Sequence, residues 1–219
     1  MAKIVGIIQT KGGAGRSTLA TNLAAHFSLQ APTTLIDCDL PQCTTSSWYA
    51  LRQAASPSNN LLLANAHNHL ELIQKAKEHA AISKYLIIDG PPRLEEMTRA
   101  IMILSNLCLI PLGASAAEIW STTDLLQTLA EAKTYKPEVD ARLVWIRFRA
   151  QTREAQELKD AVQKGLNLDE LQTRLGYRVA FSEALARGLS VEECFDRNAK
   201  TEILGLAEEV RKILMEKEG

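Results

Sequence analysis

Short apolar runs bounded by turn residues alternate along the chain with stretches whose apolar residues recur every three or four positions. That is the pattern of a parallel sheet covered by helices on both faces. The runs predict strands at Lys3–Gln9, Thr33–Asp37, Lys84–Asp89, Leu107–Pro111 and Arg142–Phe148, with a weaker one at Leu61–Ala64. Helices are predicted between them at Ser17–Leu29, Thr45–Ala55, Leu70–Ala80, Leu94–Leu104 and Ala117–Tyr135. The β-α-β-α order specifies a doubly wound α/β domain with a mostly parallel sheet. After Phe148 the pattern turns helical, with candidates at Arg153–Gly165, Leu168–Leu175, Phe181–Ala186 and Ala199–Glu216. In the last of these Ile203, Leu204, Leu206, Ala207, Val210, Ile213 and Leu214 recur at three- and four-residue spacing and make one apolar face, which the pattern assigns to packing on the sheet. No repeat, low-complexity tract or dividing linker interrupts the chain, so residues 1–219 are expected to form one domain.

Composition narrows this picture without changing it. The 219 residues are 46% hydrophobic and 23% charged, which excludes disordered, collagenous and disulfide-stapled classes. With 25 Lys+Arg against 26 Asp+Glu the net charge is −1, so a polyanion partner has to be met by a local patch. Arg142, Arg147, Arg149 and Arg153 follow one another with no acid between them, and Arg174, Arg178, Arg187, Arg197 and Lys200 are further candidates. Cys38, Cys43, Cys108 and Cys194 are too scattered for a disulfide framework, and Cys38-x4-Cys43 lacks zinc spacing; reduced thiols of a cytosolic protein are expected. Ala100–Ala117 is uncharged but broken by Ser105, Asn106, Pro111 and Gly113, so no membrane span is expected, and the N-terminus has no cleavage pattern. His67 and His69 lack a third ligand, and Trp48, Trp120 and Trp145 lack basic aromatic surroundings, so surface histidines and core or interface tryptophans are the expectation.

The strongest chemical signal lies between the first strand and the first helix: Thr10-Lys11-Gly12-Gly13-Ala14-Gly15-Arg16-Ser17-Thr18. Glycines there let consecutive backbone N–H groups converge on anionic oxygens, and the following helix aims its positive end at them. Gly12, Gly13, Ala14, Gly15, Arg16, Ser17 and Thr18 are therefore the expected phosphate cradle, with the Ser17 hydroxyl placed for Mg²⁺. The loop departs from G-x-x-x-x-G-K-[ST] twice, with Thr10 for the first glycine and Arg16 for the lysine. Two carboxylates, Asp37 and Asp39, end the second strand at i and i+2 and so point to one side where open α/β sheets bind ligands. A third, Asp89, ends the buried run Tyr85–Ile88 and can hold Mg²⁺ through water.

In the order loop, D-x-D, hhhhD-G-P, these elements resemble the ParA/MinD family of partition and positioning ATPases, whose deviant loop reads K-G-G-x-G-K-[ST]-T. The likeness spans nearly the whole chain and is closest to the small plasmid-partition ParA proteins without an N-terminal helix-turn-helix domain; the early position of Lys11 leaves no space for one. The resemblance implies an ATPase with ATP and Mg²⁺, in which Lys11 reaches across a nucleotide-sandwich homodimer to the partner subunit's phosphates. It also implies that Asp37 supports the magnesium shell and Asp39 positions the attacking water. Arg16 departs from the family: a planar fork larger than an ammonium keeps the charge, so nucleotide binding is expected to survive and hydrolysis to be slow. Leu40, inserted before Pro41-Gln42, also departs from the family's D-x-D-P-Q segment. Weaker echoes at Asn106–Pro111, Val139–Arg147 and Arg178–Glu193 extend the likeness, the last matching a region near the adenine and dimer face. Further implied are non-specific DNA binding on the helical last third, a ParB-like centromere-binding adaptor, no membrane partner and a cytoplasmic, nucleoid-associated location. Rivals are the same cycle positioning a protein cargo such as a microcompartment or chemosensory cluster, a MinD-like membrane cycle, a dethiobiotin-synthetase-like ligase and an iron–sulfur reductase of related fold. Lys11 argues against the ligase, the acidic tail against the membrane cycle, and the settings of Cys108 and Cys194 against a cluster.

Overall fold

The computed structural model describes residues 2–216 other than 41, 57, 59, 94, 114, 150–161 and 163–165. Six strands, β1 (Lys3–Ile7), β2 (Thr33–Asp37), β3 (Leu61–Asn65), β4 (Tyr85–Asp89), β5 (Leu107–Leu112) and β6 (Ala141–Trp145), pair in the order β3-β2-β4-β1-β5-β6. Every pairing is parallel. The connecting helices are α1 (Arg16–Ser28), α2 (Thr44–Ala55), α3 (His69–Ala80), α4 (Glu95–Leu104) and α5 (Ala116–Tyr135). Two more follow the last strand, α6 (Val179–Ala186) and α7 (Arg197–Glu216). This is the doubly wound α/β sheet read from the sequence, with a helical C-terminal region.

The strands are apolar throughout because both faces are covered. Side-chain alternation sends Val5, Ile7, Tyr85 and Ile87 into one core with α1 and α7, and Ile4, Leu86 and Ile88 into the other with α3, α4 and α5. Gly6 permits the closest approach: a Cβ there would stand 2.4 Å from Ile101 Cγ2 on α4. Trp48 and Trp145 are buried as expected, their indole N–H groups donating to Leu189 O and Glu170 Oε2; the side chain of Trp120 lies outside the described residues. Among the described residues no helix is long and apolar enough to cross a membrane.

One predicted helix is not a helix. Residues Leu168–Leu175 run extended beside β6, with bridges Leu143 to Glu170 and Phe148 to Gly176, and Leu171 N and Leu175 N donating to Leu143 O and Trp145 O. Leu168, Leu171 and Leu175 have helical spacing, but Leu171 and Leu175 are also an even number apart. The open backbone edge of β6 decides between the two, because its N–H and C=O groups require partners. The helix predicted at Arg153–Gly165 lies outside the described residues, apart from Val162, which is helical and buried.

Because β1 sits between β4 and β5, the chain leaves β1 toward β2 on one side and returns through α4 to β5 on the other. The carboxyl ends of β1, β2 and β4 thus face the crevice where such sheets hold ligands.

Candidate functional site

The loop between β1 and α1 rises over that crevice. Gly13 and Gly15 adopt φ of +71° and +82°, a left-handed conformation that glycine takes without a Cβ penalty. A Cβ on Gly15 would also meet Ile146 Cδ1 at 2.5 Å, so the loop rests directly on the end of β6. Gly15 is the N-cap of α1 and supplies no side-chain cap, and the first turn of the helix carries no acidic residue. The first-turn N–H groups therefore lack a side-chain acceptor from their own helix, the electrostatic condition for holding an anion.

Beneath the loop, Arg16 is 6% exposed and its fork is anchored at three strand ends. Nε donates to Gly90 O at 2.7 Å, Nη1 to Gln9 O and Lys11 O at 2.7 Å each, and Nη2 to Asp39 Oδ2 at 3.5 Å. Burial pulls the Arg16 pKa down, against the attraction of Asp89 and Asp39. Lys11 sits half-buried on the rim, with its carbonyl turned inward to Arg16.

The three aspartates converge under the loop but have different neighbours. Asp37, fully buried, accepts from Asp39 N at 3.0 Å through Oδ1 and from the Ser46 N–H and hydroxyl at 3.0 and 2.6 Å through Oδ2. Asp39 is nearly buried beside Arg16; desolvation raises its pKa, the guanidinium opposes the rise, and Asp37 adds to it. Asp89 accepts from Thr45 Oγ1 at 2.5 Å, with the Ser17 hydroxyl also close enough to favour its ionised form, yet its Oδ1 is buried with no hydrogen-bond partner. Burial drives its pKa up to about 6, with the bonds from Thr45 and Ser17 pulling the other way. The same carboxylates and its own burial push the Cys38 thiol well above its ordinary value, so it stays protonated.

This donor set fits a magnesium ion. Asp89 Oδ1 is an orphaned acceptor near the Ser17 hydroxyl, and the Asp39 and Asp89 carboxylates act on one buried guanidinium. Mg²⁺ keeps waters and takes its other ligands from phosphate oxygens, so a hydroxyl and one carboxylate oxygen suffice from the protein.

Two contiguous clefts border the loop. One, of about 460 Å³, is lined by Gly12–Thr18 together with Asp39, Gln42 and Thr44. The other, of about 320 Å³, runs between Gly13, Gly15 and Thr18 on one side and Ile146, Tyr177 and Phe181 on the other. Both fall within the range of small-molecule sites, about 300–1,000 Å³. Sequence reasoning named the loop and the three aspartates, and its family echoes at Val139–Arg147 and Arg178–Glu193 contain Ile146 and Phe181, but it missed Thr45, Ser46 and Tyr177. The run Thr44-Thr45-Ser46-Ser47 behind D-x-D was the available signal for the first two; nothing local marked Tyr177.

The basic candidates differ in their surroundings. Arg142 and Arg178 are held by Asp140 and Glu202, Arg174 lies near Glu170 and over the Phe148 ring, and Arg149 lies over the Tyr177 ring. Arg147, Arg187, Arg197 and Lys200 are exposed, and Arg153 lies outside the described residues.

A strand, a left-handed glycine loop and an uncapped helix over a switch-point crevice define a phosphate-loop nucleotide-binding domain. A model of the CobQ/CobB/MinD/ParA nucleotide binding domain matches residues 5–191, and the chain belongs to that family. The chain is 24% identical over 211 residues to the maintenance of carboxysome distribution protein A of Halothiobacillus neapolitanus, covering 96% of this chain and 94% of that protein. It is 26% identical over 129 residues to protein ParA of Rhizobium radiobacter, covering 58% and 56%. The McdA–ATP complex of Cyanothece shares the fold, with a TM-score of 0.79 at 17% identity over 96% of both chains.

Proposed function

We propose that this chain, as a single domain, is a ParA-like ATPase. It binds ATP with Mg²⁺, pairs with a second copy across the nucleotide, binds DNA non-specifically in that state and, with a ParB-like adaptor, partitions plasmid or chromosomal DNA on the nucleoid. The observation that carries the nucleotide reading is the loop itself: two left-handed glycines and an uncapped helix start above an orphaned, buried Asp89 oxygen.

In this reading the N–H groups of Gly12–Thr18 cradle the phosphates, with Lys11 and Arg16 offsetting their charge. Ser17 and Asp89 would hold Mg²⁺ and Asp37 would support its water shell; when bound, such an ion would supply positive charge at the phosphates. Asp39 orients water in line with that phosphate. Lys11, on the rim, acts on the facing subunit's nucleotide.

A second reading keeps the cycle and changes the cargo to a protein assembly. The likeness to a carboxysome distribution protein along 96% of the chain favours it. The adaptor decides between the two, since the cleft binds nucleotide in both.

Sedimentation with ATP and Mg²⁺ tests the cycle. A dimer is expected that Lys11→Ala weakens, and a monomer indifferent to nucleotide refutes the sandwich. An adaptor pull-down followed by a DNA-versus-protein cargo assay separates the two readings.

A further inference from the structure

Arg16 occupies the position that most departs from the family pattern, and its geometry is not that of a side chain waiting for phosphate. Of its hydrogen bonds, three go to main-chain carbonyls, Gly90 O, Gln9 O and Lys11 O, each at 2.7 Å. Those acceptors lie just past the ends of β4 and β1 and in the loop, so Nε and Nη1 tie together three pieces of backbone. A guanidinium is planar and rigid, and anchoring two of its nitrogens fixes the direction of the third. An ammonium, a single nitrogen with three donors, cannot span this set and also point a donor elsewhere.

The third nitrogen, Nη2, meets Asp39 Oδ2 at 3.5 Å. That is well beyond the 2.7–2.9 Å of a tight charge-assisted bond, so it is the contact most readily exchanged. Asp39 and Arg16 line the same cleft as Gly12–Thr18, which places a phosphate held by the loop within the neighbourhood of both. The Asp39 backbone is already fixed, its N–H donating to Asp37 Oδ1 at 3.0 Å, so releasing the carboxylate needs only a side-chain rotation.

We propose that Arg16 is a two-position latch: without nucleotide its Nη2 holds Asp39, and the terminal phosphate of a nucleoside triphosphate takes over that N–H and frees the Asp39 carboxylate to orient water. The latch rests on the ATPase reading and adds regulation to it. The hydrolytic carboxylate is held until a third phosphate arrives, and a diphosphate, which lacks that group, leaves the latch closed. Nε and Nη1 keep their carbonyls in both states, so the loop does not have to refold. Arg16 is thus a positioning residue for Asp39 as well as a phosphate partner.

A double-mutant cycle of Arg16→Lys and Asp39→Asn, read by the binding of AMPPNP and of ADP with Mg²⁺, tests this. Removing a carboxylate near phosphate raises affinity by simple electrostatics in either background, so only the coupling between the two substitutions reports the latch. The expected coupling is about tenfold for AMPPNP and less than about twofold for ADP. Equal coupling for both nucleotides, or none for either, overturns the latch while leaving the ATPase reading intact. Failure of the unsubstituted protein to bind either nucleotide overturns both. Should Arg16→Lys fail to fold, the cycle is repeated with Arg16→Gln, whose coupling with Asp39→Asn for AMPPNP against ADP is read for the same two outcomes.

Discussion

Asp89 offers the sharpest test of the site, because its burial makes the stability of the nucleotide-free protein depend on pH in a known direction. Its pKa is about 6 in the folded chain against 3.8 as the ordinary value. A folded pKa raised in this way means stability is fully present below the unfolded value and is lost as pH rises through the folded one. The full loss, from below pH 3.8 to above pH 6, amounts to about 3 kcal/mol, at 1.36 kcal/mol per unit. Asp89→Asn removes the ionisation. Its oxygen can still accept from Thr45, but its amide then occupies the place of the partnerless Oδ1 and leaves a buried donor unsatisfied, at a cost of about 1 kcal/mol. Without Mg²⁺ or nucleotide at pH 7.5, the variant is therefore expected to be more stable than the parent by about 2 kcal/mol, or about 4–8 °C in Tm. At pH 4 the order reverses, because the folded carboxyl is then neutral and the unfolded one only partly ionised, so the ionisation penalty falls below the cost of the unsatisfied amide. Asp39 titrates in the same direction but is common to both proteins, so the difference between them isolates Asp89. Urea denaturation from pH 4 to 8 measures it. A parent-minus-variant difference that does not change with pH refutes the reasoning, whatever its size. Mg²⁺ with AMPPNP should restore the parent and leave the variant unmoved.

Gly15→Ala puts a Cβ on a residue at φ +82° and within 2.5 Å of Ile146, so nucleotide binding should fall at least tenfold; isothermal titration measures it. Arg16→Lys replaces a fork anchored on three carbonyls by one mobile ammonium, and is expected to lower nucleotide-free stability by about 2 kcal/mol in urea denaturation. The same variant should hydrolyse ATP faster in a steady-state phosphate-release assay; an unchanged rate refutes the idea that the fork slows the reaction. Arg187→Glu with Lys200→Glu should weaken ATP-dependent binding to random-sequence DNA and flatten its salt dependence, whereas Arg178→Glu, whose charge is already met by Glu202, should act mainly on stability.

Much of the site was readable from local order. Strand, glycine loop and helix are contiguous, so the cradle Gly12–Thr18 follows from short-range chemistry, and Asp37, Asp39 and Asp89 follow from where apolar runs stop. What each group touches was not readable in that way. Arg16 was legible as a cation beside phosphate, but its acceptors come from three strand ends, one of them 74 residues away. The wall at Tyr177 and Phe181 likewise exists only because the chain returns over the loop after β6.

Alternation of apolar and polar residues by itself determined the six strands, their parallel class and the ends where chemistry collects, because a buried strand has to be apolar on both sides and can place a carboxylate only where it emerges. Tertiary structure alone decided that Leu168–Leu175 is extended, that one Asp89 oxygen lacks a partner and that the Arg16 fork closes on Asp39. Those outcomes depend on which unsatisfied backbone edge, hydroxyl or carbonyl arrives from elsewhere in the chain, and no local pattern carries that information.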